Sequence, residues 1–454
     1  MSDFDLVLQG NVVLADQVRE GWVAVSDGRV ALLGSGAPPA ARERHGLKGA
    51  WIFPGAIDAQ VHCRSQKNQE GFEKATKAAA AGGVTTICDM PFDEDNLICN
   101  VQRFDAKRAD AEAEAHVDVA LFATIDPSVG IDVIPEMATA GACAFKFSTF
   151  EAHPTRFPRT PTPVLVEAFR SVAQTGLIAC AHNENQEVIA DMLARAAKAG
   201  MTGPEVHAYT RPPINEALAM LEIYEAGVAS GAHAHVVHCS ISRGIEICEA
   251  YKRQGHPVSV EVLLPFLFLT EKDVAKHGAK AKINPPVRTA DEREKLWQHV
   301  VAGQVDLVST DHVAWSADRK SNPEMLKNNS GFPGLELLLP LFVTGCLERN
   351  VNLAVVSRCL AFNPARHFRF ASKGALEIGR DADIAVVEPS EWTYDPTAGV
   401  TCVDWSPYIG RKMKARVAST WRRGELVFDG SNVRSKPGSG KFVRPFLGSR
   451  LPNR

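Results

Sequence analysis

The sequence predicts an α/β protein, a (β/α)8 TIM barrel carrying a small β-sandwich domain formed by the N- and C-terminal segments. Two observations carry that expectation. Through the middle of the chain, eight short apolar runs alternate with stretches of helix formers, and buried runs alternating with helices imply parallel strands that close into a barrel. On both sides of this region the pattern changes to short alternating runs broken by Gly, Asp and Asn, as expected for antiparallel strands joined by turns.

Residues 5–34, "DLVLQGNVVLADQVREGWVAVSDGRVALLG", contain the turn signals "QGN" and "SDGR" and read as a small antiparallel sheet. Residues 1–53 are therefore assigned to the small domain. The barrel is expected over 54–371, with strands at "AIDAQVH", "VTTICDM", "VDVALFATI", "ACAFKFS", "LIACAH", "HAHVVHC", "VSVEVLL" and "DLVSTDH". Between them, "EGFEKATKAAAAGG" and "TPVLVEAFRSVAQTG" are rich in helix formers and stop at Gly. "ADIAVVEP" and "RVASTWRRGELVFDG" return to strand character, so 372–430 completes the sandwich, and the Gly/Ser-rich basic segment 431–454 reads as an irregular tail.

Composition narrows the function. The 454 residues are 45% hydrophobic and 23% charged, an ordinary globular balance that excludes disorder as the main theme. A net charge of −3 with interspersed signs gives no broad basic face, so neither nucleic acid nor anionic lipid is the expected partner, and small molecules are. The ten cysteines are scattered without C-x-x-C pairs, and no apolar run approaches the roughly 20 residues of a membrane span. Reduced thiols and a cytoplasmic location are the corresponding expectation.

Barrel enzymes build their sites at the C-terminal ends of the strands. The residues found there are His62 after the first run, Lys146 in the fourth, His182 ending the fifth, His238 in the sixth and Asp311 in the eighth. Gln60 shares the face of His62 because side chains alternate along a strand, whereas the same counting separates His235 from the face of His238 and leaves His233 and His235 structural. Taken singly, His182 or His238 reads as a hydrogen-bonded core residue and Asp311 as a helix cap. Lys146 resists that reading: inside an apolar strand, an unpaired ammonium costs several kcal/mol, so it must be paired, neutral or modified.

Together these residues give the chain, over roughly residues 5–430, a resemblance to the cyclic amidohydrolases of the amidohydrolase superfamily: dihydroorotases, allantoinases and hydantoinases. The resemblance runs through "PGAIDAQVHCR", "EGFEKATKAAAAGGVTTICDMP", "FKFS", "AHNEN", "HVVHCS", "KINPPVR", "STDH" and "SGFPGLE" in order. It continues into "NPAR", "KGALEIGRDADIAVVEP" and "SPYIGRKMKARV". It implies hydrolytic opening of a cyclic amide by one or two divalent ions, zinc foremost, bridged by a carboxylated Lys146. Under that resemblance His182 and His238 hold one ion, His62 and Asp311 hold the other with whatever stands at position 60, and Asp311 moves the catalytic proton. Homodimers or homotetramers are implied as well.

The sequence departs from the family at Gln60, where a second histidine is expected. An amide oxygen is a poorer zinc ligand than an imidazole. Two ions with a weak first one, the second ion alone, or none all remain open, and with them a metal-poor scaffold protein of the dihydropyrimidinase-related type. A hydrolase of acyclic amides or a deaminase on the same fold is a third class, although most deaminases lack the bridging lysine. For the substrate, the resemblance matches Arg64 and Asn284 to a carboxylate-binding arginine and its asparagine partner in dihydroorotases, and His312 to a substrate donor or a residue orienting Asp311. The segment "SQKNQEGFE" lacks the usual "EPG" and is nearer the allantoinase "WEGFE", and Glu151 stands where a hydantoinase has a tyrosine. Glu151, His153 and Arg156 lie in the long loop after the fourth strand, a position for substrate contacts.

Overall fold

The computed structural model describes residues 4–94 and 96–448. The N-terminal segment forms β1 (Phe4–Val13), β2 (Val18–Ser26), β3 (Arg29–Gly34) and the long β4 (Ala41–Pro54). Eight strands follow: β5 (Ala56–Val61), β6 (Val84–Asp89), β7 (Asp118–Leu121), β8 (Phe145–Ser148), β9 (Ile178–His182), β10 (His233–Val236), β11 (Val258–Leu263) and β12 (Leu307–Ser309). They coincide with the eight apolar runs. The chain ends with β13 (Ile384–Thr393), β14 (Lys412–Arg422) and β15 (Glu425–Phe428).

All barrel strands pair in parallel, in the orders β5-β6-β7 and β8-β9-β10-β11-β12. Single parallel bridges join these two arcs, Ala123 to Phe145 beyond β7 and Val61 to His312 beyond β12, so the ring closes at two short seams. Every residue of β5, β6, β8, β9, β11 and β12 is buried, which explains why these strands read as continuous apolar runs rather than alternating ones. The helix Thr162–Thr175 ends as expected at Gly176, whose φ of 73° only glycine adopts without strain.

The terminal segments meet in one seven-stranded mixed sheet of order β15-β14-β13-β4-β1-β2-β3. It turns back on itself: Val30 in β3 exchanges backbone hydrogen bonds with Gly379 and Arg380, which lead into β13. Leu6, Leu8, Val25, Ile52, Ile384 and Trp421 fill the enclosed core. Under the sheet, Lys373 Nζ sits 2.5 Å from Asp118 and 2.7 Å from Asp383, tying β7 of the barrel to the small domain.

The described part of the tail, 431–448, forms no helix or strand, but it is docked on the barrel. Val119 donates to Lys441 O at 2.9 Å and accepts from Val443 N at 2.8 Å, so Phe442 lies beside the lower end of β7. The backbone groups of β7 that β8 leaves free at this level are satisfied by the tail. Residues 449–454, also assigned to the tail, lie outside the described residues.

Candidate active site

At the C-terminal mouth of the barrel lies a cavity of about 390 Å³ lined by Gln60, His62, Lys146, His182, His238 and Asp311, among others. Each is placed by a strand end. Gln60 belongs to β5 and His62 follows it one residue later, Lys146 is inside β8, and His182 closes β9. His238 and Asp311 lie just beyond β10 and β12 with φ of 43° and 52°, a left-handed backbone that is uncommon for residues other than glycine. Such conformations persist where surrounding structure enforces them, and here they aim both side chains into the barrel mouth.

The polar groups form two pairs. On one side His62 Nε2 lies 3.1 Å from Asp311 Oδ1, and Gln60 Nε2 donates to that same oxygen at 2.8 Å. On the other, His182 Nδ1 and His238 Nε2 are 2.9 Å apart. Glu184 Oε2 lies 2.8 Å from His182 Nε2, and Arg211 Nε lies 3.1 Å from Glu184 Oε1. A carboxylate on the outer ring nitrogen fixes the tautomer and leaves the inner nitrogen with a lone pair, the usual arrangement behind a metal-binding imidazole.

Lys146 is 1% exposed and its Nζ has no hydrogen-bond acceptor. Burial lowers its pKa to about 8, opposed only by Cys180, Asp311 and Glu261. Burial works the other way on Asp311, but the contacts with His62, Lys146 and Gln60 prevail and hold its carboxyl below the usual range, so it is an anion at neutral pH. Deeper in the barrel, burial raises Asp58 and Glu261 to about 7. Asp58 accepts from Thr310 N at 3.1 Å and Glu261 accepts from Ser309 Oγ at 2.5 Å, so both fasten the turn that presents Asp311.

Among the described residues, no three His, Cys, Asp or Glu side chains converge to hold a metal ion. The histidines and Asp311 supply only pairs, and a pair is too few for a tetrahedral ion. What the cavity adds is Lys146 Nζ, Gln60 Oε1 and His238 Nδ1, all buried and unpartnered. A carboxylated Lys146 would add two oxygen donors that share one negative charge and turn an unpartnered amine into a ligand, so the donor set fits divalent metal once that modification is made. The His182–His238 side then has nitrogen donors in plenty. The Gln60 side has His62 and Asp311, with the amide committed through its nitrogen to Asp311 and its oxygen free.

Two residues matched to substrate binding are elsewhere. Arg64 follows the turn after β5, where alternation no longer governs direction; its Nε lies 3.1 Å from Asp93, its Nη1 donates to Asp110, and it does not line the cavity. His312 is fully buried, with Nε2 2.7 Å from Glu70 and Nδ1 accepting from Gly334 N and Leu335 N. The left-handed turn at Asp311 sends its neighbour to the opposite side, so His312 supports the loop rather than a ligand. Asn284 does line the cavity, with Oδ1 accepting from Ser330 Oγ at 3.0 Å. Of the loop residues, His153 and Arg156 reach the cavity and Glu151 does not. His233 and His235 instead share Ser259 Oγ, at 2.9 and 2.8 Å.

Sequence reasoning missed Arg211, Lys282 and Trp315, which complete the cavity wall. Arg211 stands between two helices, and Lys282 precedes "INPP", far from any strand end. No periodic signal ties Arg211 or Lys282 to the barrel strands.

The fold and the donor set agree with what the chain matches. Residues 51–427 fit the model of the amidohydrolase family. The chain belongs to that family. This amidohydrolase is 34% identical to an allantoinase of Rubrobacter xylanophilus over 98% of each chain, and 31% identical to an allantoinase of Solibacter usitatus over 97% of this chain and 96% of that one. Among solved structures it resembles an L-hydantoinase (dihydropyrimidinase) from Arthrobacter aurescens, with a TM-score of 0.93, 26% identity and coverage of 97% and 100%. A D-hydantoinase gives a TM-score of 0.90 at 26% identity, covering 98% of this chain and all of that one. Among the described residues no helix is long and apolar enough to cross a membrane.

Proposed function

We propose that this amidohydrolase is a metal-dependent cyclic amide hydrolase that opens a ureide- or imide-type ring, in the manner of allantoinases or dihydroorotases. The observation that carries the reading is Lys146, a fully buried amine with no acceptor, lining one cavity with the His62–Asp311 and His182–His238 pairs. Full-length similarity to proteins named allantoinase supports the substrate class. A non-catalytic scaffold has no use for this arrangement, since an unmodified Lys146 only costs stability.

Lys146, carboxylated, would hold divalent metal with His182 and His238, and with His62, Asp311 and the free oxygen of Gln60 on the other side. Zinc suits the imidazole ligands. The metal would supply Lewis-acid polarisation of the scissile carbonyl and acidification of water. Asp311 does the proton work: ionised at neutral pH and held by His62 and Gln60, it accepts the proton of the attacking water and delivers it to the ring nitrogen as the C–N bond breaks. Glu184 keeps His182 in one tautomer, and Arg211 keeps Glu184 ionised. Phe92, Phe150, Phe157 and Trp315 wall the cavity with apolar surface that excludes bulk water. Asn284 offers an amide group for the ring.

The test is a panel of allantoin, dihydroorotate, hydantoins and cyclic imides assayed for ring opening by metal- and bicarbonate-supplemented protein. Turnover of at least one ring, with none released from acyclic amides, is expected; acyclic turnover alone would overturn the cyclic reading. Sedimentation is expected to show a homodimer or homotetramer.

A further inference from the structure

The charged groups around the cavity do not balance. Asp311 is the only carboxylate among the described residues that line it, whereas Lys146, Arg156, Arg211 and Lys282 all do. Glu184 offsets Arg211, and Lys146 ceases to be a cation once carboxylated. Arg156 and Lys282 have no such partner among the described residues. Arg156 packs with its guanidinium 5.5 Å from the centre of the Trp315 ring, donates from Nη2 to Ser65 Oγ at 2.6 Å, and leaves Nε buried without an acceptor. Lys282, 5% exposed, donates only to backbone carbonyls, Leu326 O at 3.0 Å and Asn328 O.

A half-buried guanidinium beside an indole, with one N–H buried and unsatisfied and no ion pair, is poised for an oxyanion, which it binds through charge-assisted hydrogen bonds. Asp93 and Glu94 act on Arg156 only from beyond ion-pair distance, so a neutral ligand would leave both basic groups desolvated without a carboxylate in contact. In keeping with this, burial and the nearby Arg211 push the Lys282 ammonium down to about 7, as expected for a cation without a counter-ion.

We infer that Arg156 and Lys282 form an anion subsite in this cavity, and that the cyclic amide opened here carries a carboxylate on its ring substituent. The substrate half of the inference rests on the proposed ring-opening reading, while the binding half does not require turnover. Arg156, on the loop after β8, takes the recognition role that Arg64, paired with Asp93 and Asp110 and not lining the cavity, does not fill. Allantoin, whose substituent is a neutral ureide, would leave the subsite unsatisfied.

The experiment compares two rings of nearly equal shape, a hydantoin bearing an acetate at its 5-position and the same ring bearing an acetamide. Calorimetry on the metal-supplemented protein gives affinities and a separate assay gives ring opening. The acetate ring is expected to bind about tenfold tighter or more, as for a hydrogen bond to a charged partner. That ratio should fall to near one in Arg156→Gln and be partly kept in Arg156→Lys. Equal affinities, absence of binding by either ring, or an undiminished ratio in Arg156→Gln would each overturn the subsite. Preferential binding without hydrolysis of either ring overturns the hydrolase reading and leaves the subsite standing; hydrolysis of both with no preference does the reverse.

Discussion

Replacing Lys146 by methionine should stabilise the metal-free protein, although it removes a side chain at the centre of the site. In the folded state burial holds the Lys146 pKa at about 8, below the ordinary lysine value of 10.5. Below both values the unfolded chain carries the proton more comfortably, so folding pays for desolvating an ammonium with no acceptor. That depression is worth about 3 kcal/mol at pH 7. The sign follows from the direction of the shift: the penalty is full below about 8, declines as pH rises from there toward 10.5, and is absent above it. Methionine fills nearly the same volume and needs no partner. In chelator-treated, bicarbonate-free buffer at pH 7, Lys146→Met should therefore melt about 3 °C above wild type, given the unfolding entropy of a chain this long. The difference should shrink to near zero at pH 10.5. A variant that melts below wild type at pH 7, or a gap that does not depend on pH, would refute the claim that the bare ammonium is unpartnered. The same depressed pKa supplies the neutral amine that reacts with carbon dioxide, so one physical fact underlies both the instability of the bare site and its readiness for modification.

Three further outcomes follow from the geometry. Asp311→Asn keeps the shape of the side chain but cannot take a proton, and should lower kcat by about 10²- to 10⁴-fold on whichever ring is turned over; undiminished turnover would remove Asp311 from the mechanism. Glu184→Gln weakens the hold on His182 and strands Arg211, and should reduce metal affinity by about 10- to 100-fold in a chelator competition; unchanged affinity would make Glu184 purely structural. Lys373→Met leaves Asp118 and Asp383 buried with Arg423 alone to offset them, and should cost about 3–5 kcal/mol in urea unfolding; a loss under 1 kcal/mol would show that the joint between barrel and sheet is held mainly by apolar packing.

What the sequence revealed depended on strand periodicity. The eight barrel strands were legible because each is short, buried and apolar, and Gln60, His62, Lys146 and His182 were legible because they lie on or directly beside such strands. His238 and Asp311 were found by position, but their left-handed backbone was not foreseeable from residue type. One step beyond the strands, position no longer reports direction: Arg64 and His312 follow turns, and turns reset side-chain direction. Arg211 and Lys282 reach the cavity from segments with no periodic link to the barrel, and only their burial marks them. For the tail, Gly and Ser signal irregular backbone without saying whether that backbone has hydrogen-bond partners, and here the lower edge of β7 provides them.

The measurement that bears most directly on the account is metal content per chain, by elemental analysis of protein expressed with zinc and bicarbonate, beside the same analysis of Lys146→Ala. One or two equivalents in wild type and near none in the variant are predicted, because without Lys146 only pairs of donors remain. Wild-type protein that binds no metal, or a variant that keeps its full complement, would contradict a centre built on a carboxylated lysine.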